Sequence, residues 1–115
     1  MRGVYDITQI TQVVLRERQG RDRGWWAQTA ECFHPDSRVT LSWFDGPGPE
    51  FVVRSQKMSE GGLRMVHRSS PPAVHLHGNK AVVELPVVVQ RRFLLKGVEA
   101  DLISFSRLLY QLERR

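Results

Sequence analysis

From residue 80 onward, apolar and β-branched residues run almost without interruption on either side of Lys96-Gly97. Lys80 to Leu95 and Val98 to Leu112 read as two long strands, and so short a turn makes them antiparallel neighbours. Strands of this length twist and coil. Pro86 inside the first implies a bulge or an edge position. Leu63 to Arg68 and Ala73 to His77 read as shorter strands, divided by Ser69-Ser70-Pro71-Pro72 and followed by a tight turn at Gly78-Asn79.

The first half of the chain has helical rather than strand periodicity. Val4, Ile7, Ile10 and Val14 share one helical face, and Asp6 and Gln9 have capping-box spacing. Arg16, Glu17 and Arg18 point elsewhere, and Gly20 is the expected stop. A shorter helix is expected over Gly24 to Phe33, burying Trp25 or Trp26 with Thr29, Ala30 and Phe33, and ended by His34-Pro35-Asp36. Arg38 to Phe44 alternates like a strand, and Asp45-Gly46-Pro47-Gly48-Pro49 reads as a loop. Pro49 suits the first turn of a third helix, with Phe51, Val52, Ser55 and Met58 inward and Gly61-Gly62 at its end. Three helices and one strand followed by an antiparallel meander make an α+β domain. A curved sheet folded around helices leaves a concave cavity suited to a ligand.

Length and composition fit this picture. The 115 residues are expected to form one domain, residues 1–115, with 41% hydrophobic and 25% charged residues. The single cysteine, Cys32, excludes an intrachain disulfide and a multi-cysteine metal site, and it suits a reducing cytoplasm. The first residues lack the apolar stretch of a signal peptide, and no apolar run reaches the ~20 residues of a membrane helix. The net charge of +5 raises nucleic-acid binding, but the arginines are dispersed and no basic run interleaves with aromatics. A solvated basic surface is the expectation. Val82 to Val89 is apolar on both faces, so one face is expected to cover the helices and the other to pack in a homodimer.

Several segments carry a family resemblance: Asp22-Arg23-Gly24-Trp25-Trp26, Cys32-Phe33-His34-Pro35-Asp36, the strand RVTLSWFDG, Val66-His67, and Gly78-Asn79-Lys80-Ala81. Together they resemble the SnoaL-like and scytalone dehydratase family of the nuclear transport factor 2-like superfamily. The resemblance implies a cone-shaped fold, with about three helices packed on a strongly curved, mainly antiparallel sheet. It also implies that Asp22, four residues before Trp26, pairs with His67 on the strand after the third helix. Gln90 or Arg91 stands near a second pocket histidine of scytalone dehydratase, and Arg21 and Leu41 stand near its pocket tyrosines. The substrate of that enzyme is therefore not expected here. The resemblance further implies a last aromatic-bearing strand beyond Leu112-Glu113-Arg114-Arg115, where this sequence stops: either that strand lies beyond the given residues, or the sheet is shorter and the pocket more open than in relatives.

The chemistry follows from those residues. An imidazole can take a proton near neutral pH, and a carboxylate on its other nitrogen fixes the tautomer and stabilises the imidazolium. Such a pair can serve elimination, isomerisation or aldol-type cyclisation. Asp22 and His67 are the catalytic candidates, and Trp26, Trp43, Phe51 and Met58 are the candidate wall around a small hydrophobic substrate. Trp25 and Phe44 either join that wall or fill the core. His75 and His77 share a strand face, yet no nearby carboxylate completes a ligand set, so neither metal nor cofactor is expected. Cys32 reads as a small hydrophobe and Glu84 and Asp101 as outward-facing acids. The resulting reading is a small cofactor-independent lyase or isomerase. The alternative is a non-catalytic ligand-binding or association module, with a ring-hydroxylating dioxygenase β-subunit as a third possibility on the same fold.

Overall fold

In the computed structural model, which describes residues 2–62 and 64–115, the elements follow in the order α1 (Arg2–Arg23), α2 (Trp26–Glu31), β1 (Arg38–Thr40), β2 (Asp45–Pro47), α3 (Gly48–Glu60), β3 (Arg64–Ser69), β4 (Ala73–His77), β5 (Lys80–Leu95) and β6 (Val98–Glu113). Leu63, the expected first residue of the third strand, lies outside the described residues. The chain divides into a sheet unit, residues up to Val14 with Met65–Arg115, and a helical unit, Leu15–Arg64.

In the sheet unit, β5 is the central strand. It pairs with β6 along its whole length on one edge, and with β4 and β3 in succession on the other. Val83 and Leu85 are fully buried and Ala81 and Val87 nearly so, whereas Val82 is exposed and Glu84, Pro86 and Val88 are half-buried. This period of two aims one face at Val14 and Ile10 of α1, with Val74, Leu108, Tyr110 and Leu112 completing the cluster. Pro86 makes no bulge: it stays in register opposite Arg107. Its carbonyl accepts the Ser70 N–H at 3.0 Å. In a strand the N–H and C=O of one residue point to the same edge. The missing donor therefore falls at the seam between β4, which pairs only as far as Glu84, and β3, and no bond to β6 is lost.

The first helix differs from its sequence expectation at both ends. It begins at Arg2, so Asp6 does not cap it; the Asp6 carboxylate instead accepts Arg114 at 2.9 Å. Val4 and Ile7 are exposed, and only Ile10 and Val14 reach the core. Gly20 does not stop the helix. It lies inside because a β-carbon there would fall 2.3 Å from Thr29 Oγ1, so the glycine permits close approach of α2. Gly24, with φ +72°, makes the actual break.

Within the helical unit, α2 is shorter than expected, with Thr29 buried and Ala30 exposed. The strand expected over Arg38 to Phe44 is cut at Thr40, where the chain turns back through a Leu41 N–H bond to the Phe44 carbonyl at 2.7 Å. The expected loop Asp45-Gly46-Pro47 becomes the return strand, pairing Thr40 with Asp45 and Arg38 with Pro47. Asp45 accepts both Arg38 Nε and Thr40 Oγ1 at 3.1 Å, which ties the two short strands together. The third helix keeps the expected inner face: Phe51, Val52 and Ser55 are buried and Met58 is half-buried.

The alternation predicts a clear contrast. Leu85→Ala, at a fully buried position, should cost ~2–5 kcal/mol in urea unfolding. Leu94→Ala, 73% exposed on the same strand, should stay within ~0.5 kcal/mol of the parent. Equal losses would contradict this register.

Candidate functional site

The buried stripe of α1 does not end with its apolar residues. Val14, Glu17, Arg18 and Arg21 are spaced i, i+3, i+4 and i+7, one helical face. Glu17 is 3% and Arg18 8% exposed. Glu17 accepts Arg18 through both oxygens, Nη2 to Oε1 at 2.9 Å, and lies 4.0 Å from Nη1 of Arg21. The Arg21 guanidinium also sits over the Phe51 ring, 4.7 Å from its centroid. A carboxylate and two guanidiniums are thus held out of water at the end of α1, in the turn before Asp22. The sequence expectation that Glu17 and Arg18 point away from the buried face is incorrect. Their spacing from Val14 carries the signal, but hydropathy hides it because the residues are charged.

Phe51 is the centre of an aromatic cluster. Its ring centroid lies 6.0 Å from Phe33, 5.7 Å from Trp43 and 5.5 Å from Phe44. Of the expected wall residues, Trp43 and Phe51 therefore meet directly. Met58 follows two turns after Phe51 on the same face of α3. Trp26 opens α2, half-buried, and makes no ring contact with that cluster among the described residues. Phe44 is buried, while Trp25 is exposed and stacks under Arg23 at 4.8 Å. Two hydroxyls in this unit, Ser37 and Ser55, are buried with no hydrogen-bond partner among the described residues.

The catalytic candidates fall in separate units. Asp22 lies in the last turn of α1, exposed, in the helical unit. His67 lies in the middle of β3 in the sheet unit. It is half-buried and alternates with exposed Val66 and Arg68. His75 and His77 of β4 are both exposed. Among the described residues no group of three or more His, Cys, Asp or Glu side chains could hold a metal ion. Cys32 is half-buried; burial chiefly, then the charge of Glu17, pushes its thiol above the usual range. Asp101 is held below the usual carboxylate range by its hydrogen bond from Arg92 Nε at 2.8 Å, and Arg92 is raised in turn. An open cleft of about 320 Å³ lies wholly in the sheet unit, and its lining includes none of the six candidate residues.

Comparison with known proteins covers nearly the whole chain. The family model described as "SnoaL-like domain" matches residues 2–115. A PEP2-like protein of Fusarium vanettenii is 26% identical over 97 residues, 82% of this chain and 42% of that protein. The chain thus spans about two fifths of the length of that curated relative. Among solved structures, the "Putative Scytalone Dehydratase" of Novosphingobium aromaticivorans superposes with a TM-score of 0.80 at 14% identity, covering 98% of this chain and 76% of that one. A nuclear transport factor 2-like protein with a cystatin-like fold, from the same species, gives 0.70 at 19% identity over 99% of this chain and 75% of its own. These likenesses bear out the α+β cone fold. No described helix is long and apolar enough to cross a membrane.

Two measurements check the local chemistry. Glu17→Gln removes the acid from between two sequestered arginines and should cost ~3 kcal/mol in denaturant unfolding; a loss below ~0.5 kcal/mol would contradict the buried network. Alkylation of Cys32 by iodoacetamide should reach half its maximal rate at a higher pH than for free cysteine, because its thiol pKa is raised. A profile displaced to lower pH would contradict the assignment.

Proposed function

The chain belongs to the SnoaL-like domain family, and we propose that it is a small lyase or isomerase, of dehydratase or polyketide cyclase type, in which His67 is the general base. The observation that carries this reading is the position of His67. Of the three strand histidines, it alone takes a half-buried position, while His75 and His77 stay in solvent. One imidazole nitrogen of His67 removes a proton beside a carbonyl, or one β to a leaving group. Asp22 accepts from the other ring nitrogen, fixes the tautomer and offsets the imidazolium charge. Trp26, Trp43, Phe51 and Met58 supply the apolar surface for a small hydrophobic substrate. Neither metal nor cofactor is invoked, since proton transfer needs neither. The proposed compartment is the cytoplasm, where a lone thiol stays reduced.

A second reading, an association module, is favoured by the outward sheet face. Phe105 is 83%, Leu109 74% and Ile103 54% exposed there, beside exposed Val82 and half-buried Val88. Glu84 and Arg107 share that face and are only loosely paired, at 3.8 Å. A twofold dimer through this face would bury the same patch on both copies. The two readings are compatible, because an enzyme of this fold can also be a homodimer.

The reaction is tested on a panel of β-hydroxy ketones and β,γ-unsaturated ketones, following the absorbance of the conjugated product. The chain should turn over at least one of them. His67→Ala should then lose ~100- to 10,000-fold in rate while still unfolding cooperatively, a loss far larger than a stability change of ~1 kcal/mol explains, and Asp22→Asn should also be impaired. Turnover that survives His67→Ala would contradict the mechanism. Light scattering should show a dimer at micromolar concentration and a monomer after Phe105→Glu with Leu109→Glu. A parent chain that stays monomeric would contradict the dimer.

A further inference from the structure

The cleft of the sheet unit lies between the start of α1 and the ends of β4, β5 and β6, and no step of the proposed reaction uses it. Ile10, Val13, Leu76, Ala81 and Leu112 line it with apolar surface. Its volume of about 320 Å³ sits at the lower end of the ~300–1,000 Å³ typical of small-ligand sites.

The charges at its edge are unequally engaged. Asp6 has a side chain only 14% exposed and is held by Arg114 at 2.9 Å. Glu113 is paired with Arg115 at 3.2 Å, with its side chain 41% exposed. Arg114 is anchored by its backbone N–H, which donates to the Asn79 carbonyl at 2.7 Å, yet its side chain remains 47% exposed. A guanidinium carries five N–H donors, so the bond to Asp6 leaves others on this half-exposed lining residue. Lys80, exposed, stands on the same edge. The edge therefore sets Lys80 and the remaining donors of Arg114 beside two acids that each already hold an arginine, above an apolar lining. That combination selects an anionic head on a short apolar body.

We propose that this cleft binds a small apolar monocarboxylate, of medium-chain fatty acid type, with its carboxylate on Arg114 and Lys80 and its chain against the apolar lining. Nothing in this depends on Asp22 or His67, so either proposal can fail alone.

The test is a titration of the full chain with octanoate and, separately, 1-octanol, followed by backbone amide shifts in NMR. Saturable shifts are expected at Ile10, Leu76, Ala81 and Leu112, with octanoate binding about tenfold more tightly than the alcohol, the scale of a charge-assisted hydrogen bond. Arg114→Gln should remove most of that preference, but it also deprives Asp6 of its partner. Lys80→Gln, at an exposed position, should narrow the preference with folding undisturbed, and Val13→Trp should block both ligands. Equal binding of acid and alcohol, shifts that map elsewhere, or no saturation at millimolar octanoate would overturn the proposal.

Discussion

The pairing of β5 with β6, from Lys80 opposite Glu113 to Leu95 opposite Val98, sets most of what the sheet unit does. Its register is fixed at Lys96-Gly97, a two-residue turn with φ of 50° and 80°, the left-handed pair that matches strand twist. Because side chains alternate with a period of two, a slip of one residue would turn Val83, Leu85 and Val87 into solvent and bring Glu84 inside. The same register places Phe105 and Leu109 on the outer face. It also brings Arg114 to the Gly78-Asn79 turn, where one side of the open cleft is formed. Core, outer face and cleft thus depend on one ladder.

The helical unit is organised by a different device. Its interior combines the aromatic cluster around Phe51 with the buried charges of Glu17, Arg18 and Arg21. Arg21 belongs to both, since it approaches Glu17 on one side and covers the Phe51 ring on the other. Burying such charges is costly, and a hydrophobic replacement of similar volume can be as stable. Their placement in the turn before Asp22 gives that turn a fixed, polar neighbour, which suits a residue proposed to orient an imidazole.

The parts of this fold legible in the sequence were those governed by local rules. Strand alternation and the Lys96-Gly97 turn marked β5 and β6, and Pro49 with Gly61-Gly62 marked α3. The family resemblance supplied the overall class, which the structural likenesses bear out. What could not be read depended on contacts distant in sequence. Gly20 looks like a helix stop until Thr29 is seen against it. Asp6 looks like a cap until Arg114 reaches it. Pro86 looks like an edge residue because the seam between β3 and β4 is invisible in the chain. At the site, the Trp43–Phe51 contact joins two of the candidates chosen for the wall. Glu17 and Arg18 were missed because charge outweighs periodicity in any hydropathy pattern.

The proposed pairing of Asp22 with His67 can be tested before any substrate is known. A double-mutant cycle on unfolding free energy compares the parent with Asp22→Asn, His67→Ala and the double variant. Residues in hydrogen-bonded contact couple by ~0.5–3 kcal/mol, whereas independent residues add within ~0.3–0.5 kcal/mol. A coupling of ~1 kcal/mol or more is expected for the proposed pair; strict additivity of the two single effects would contradict the pairing.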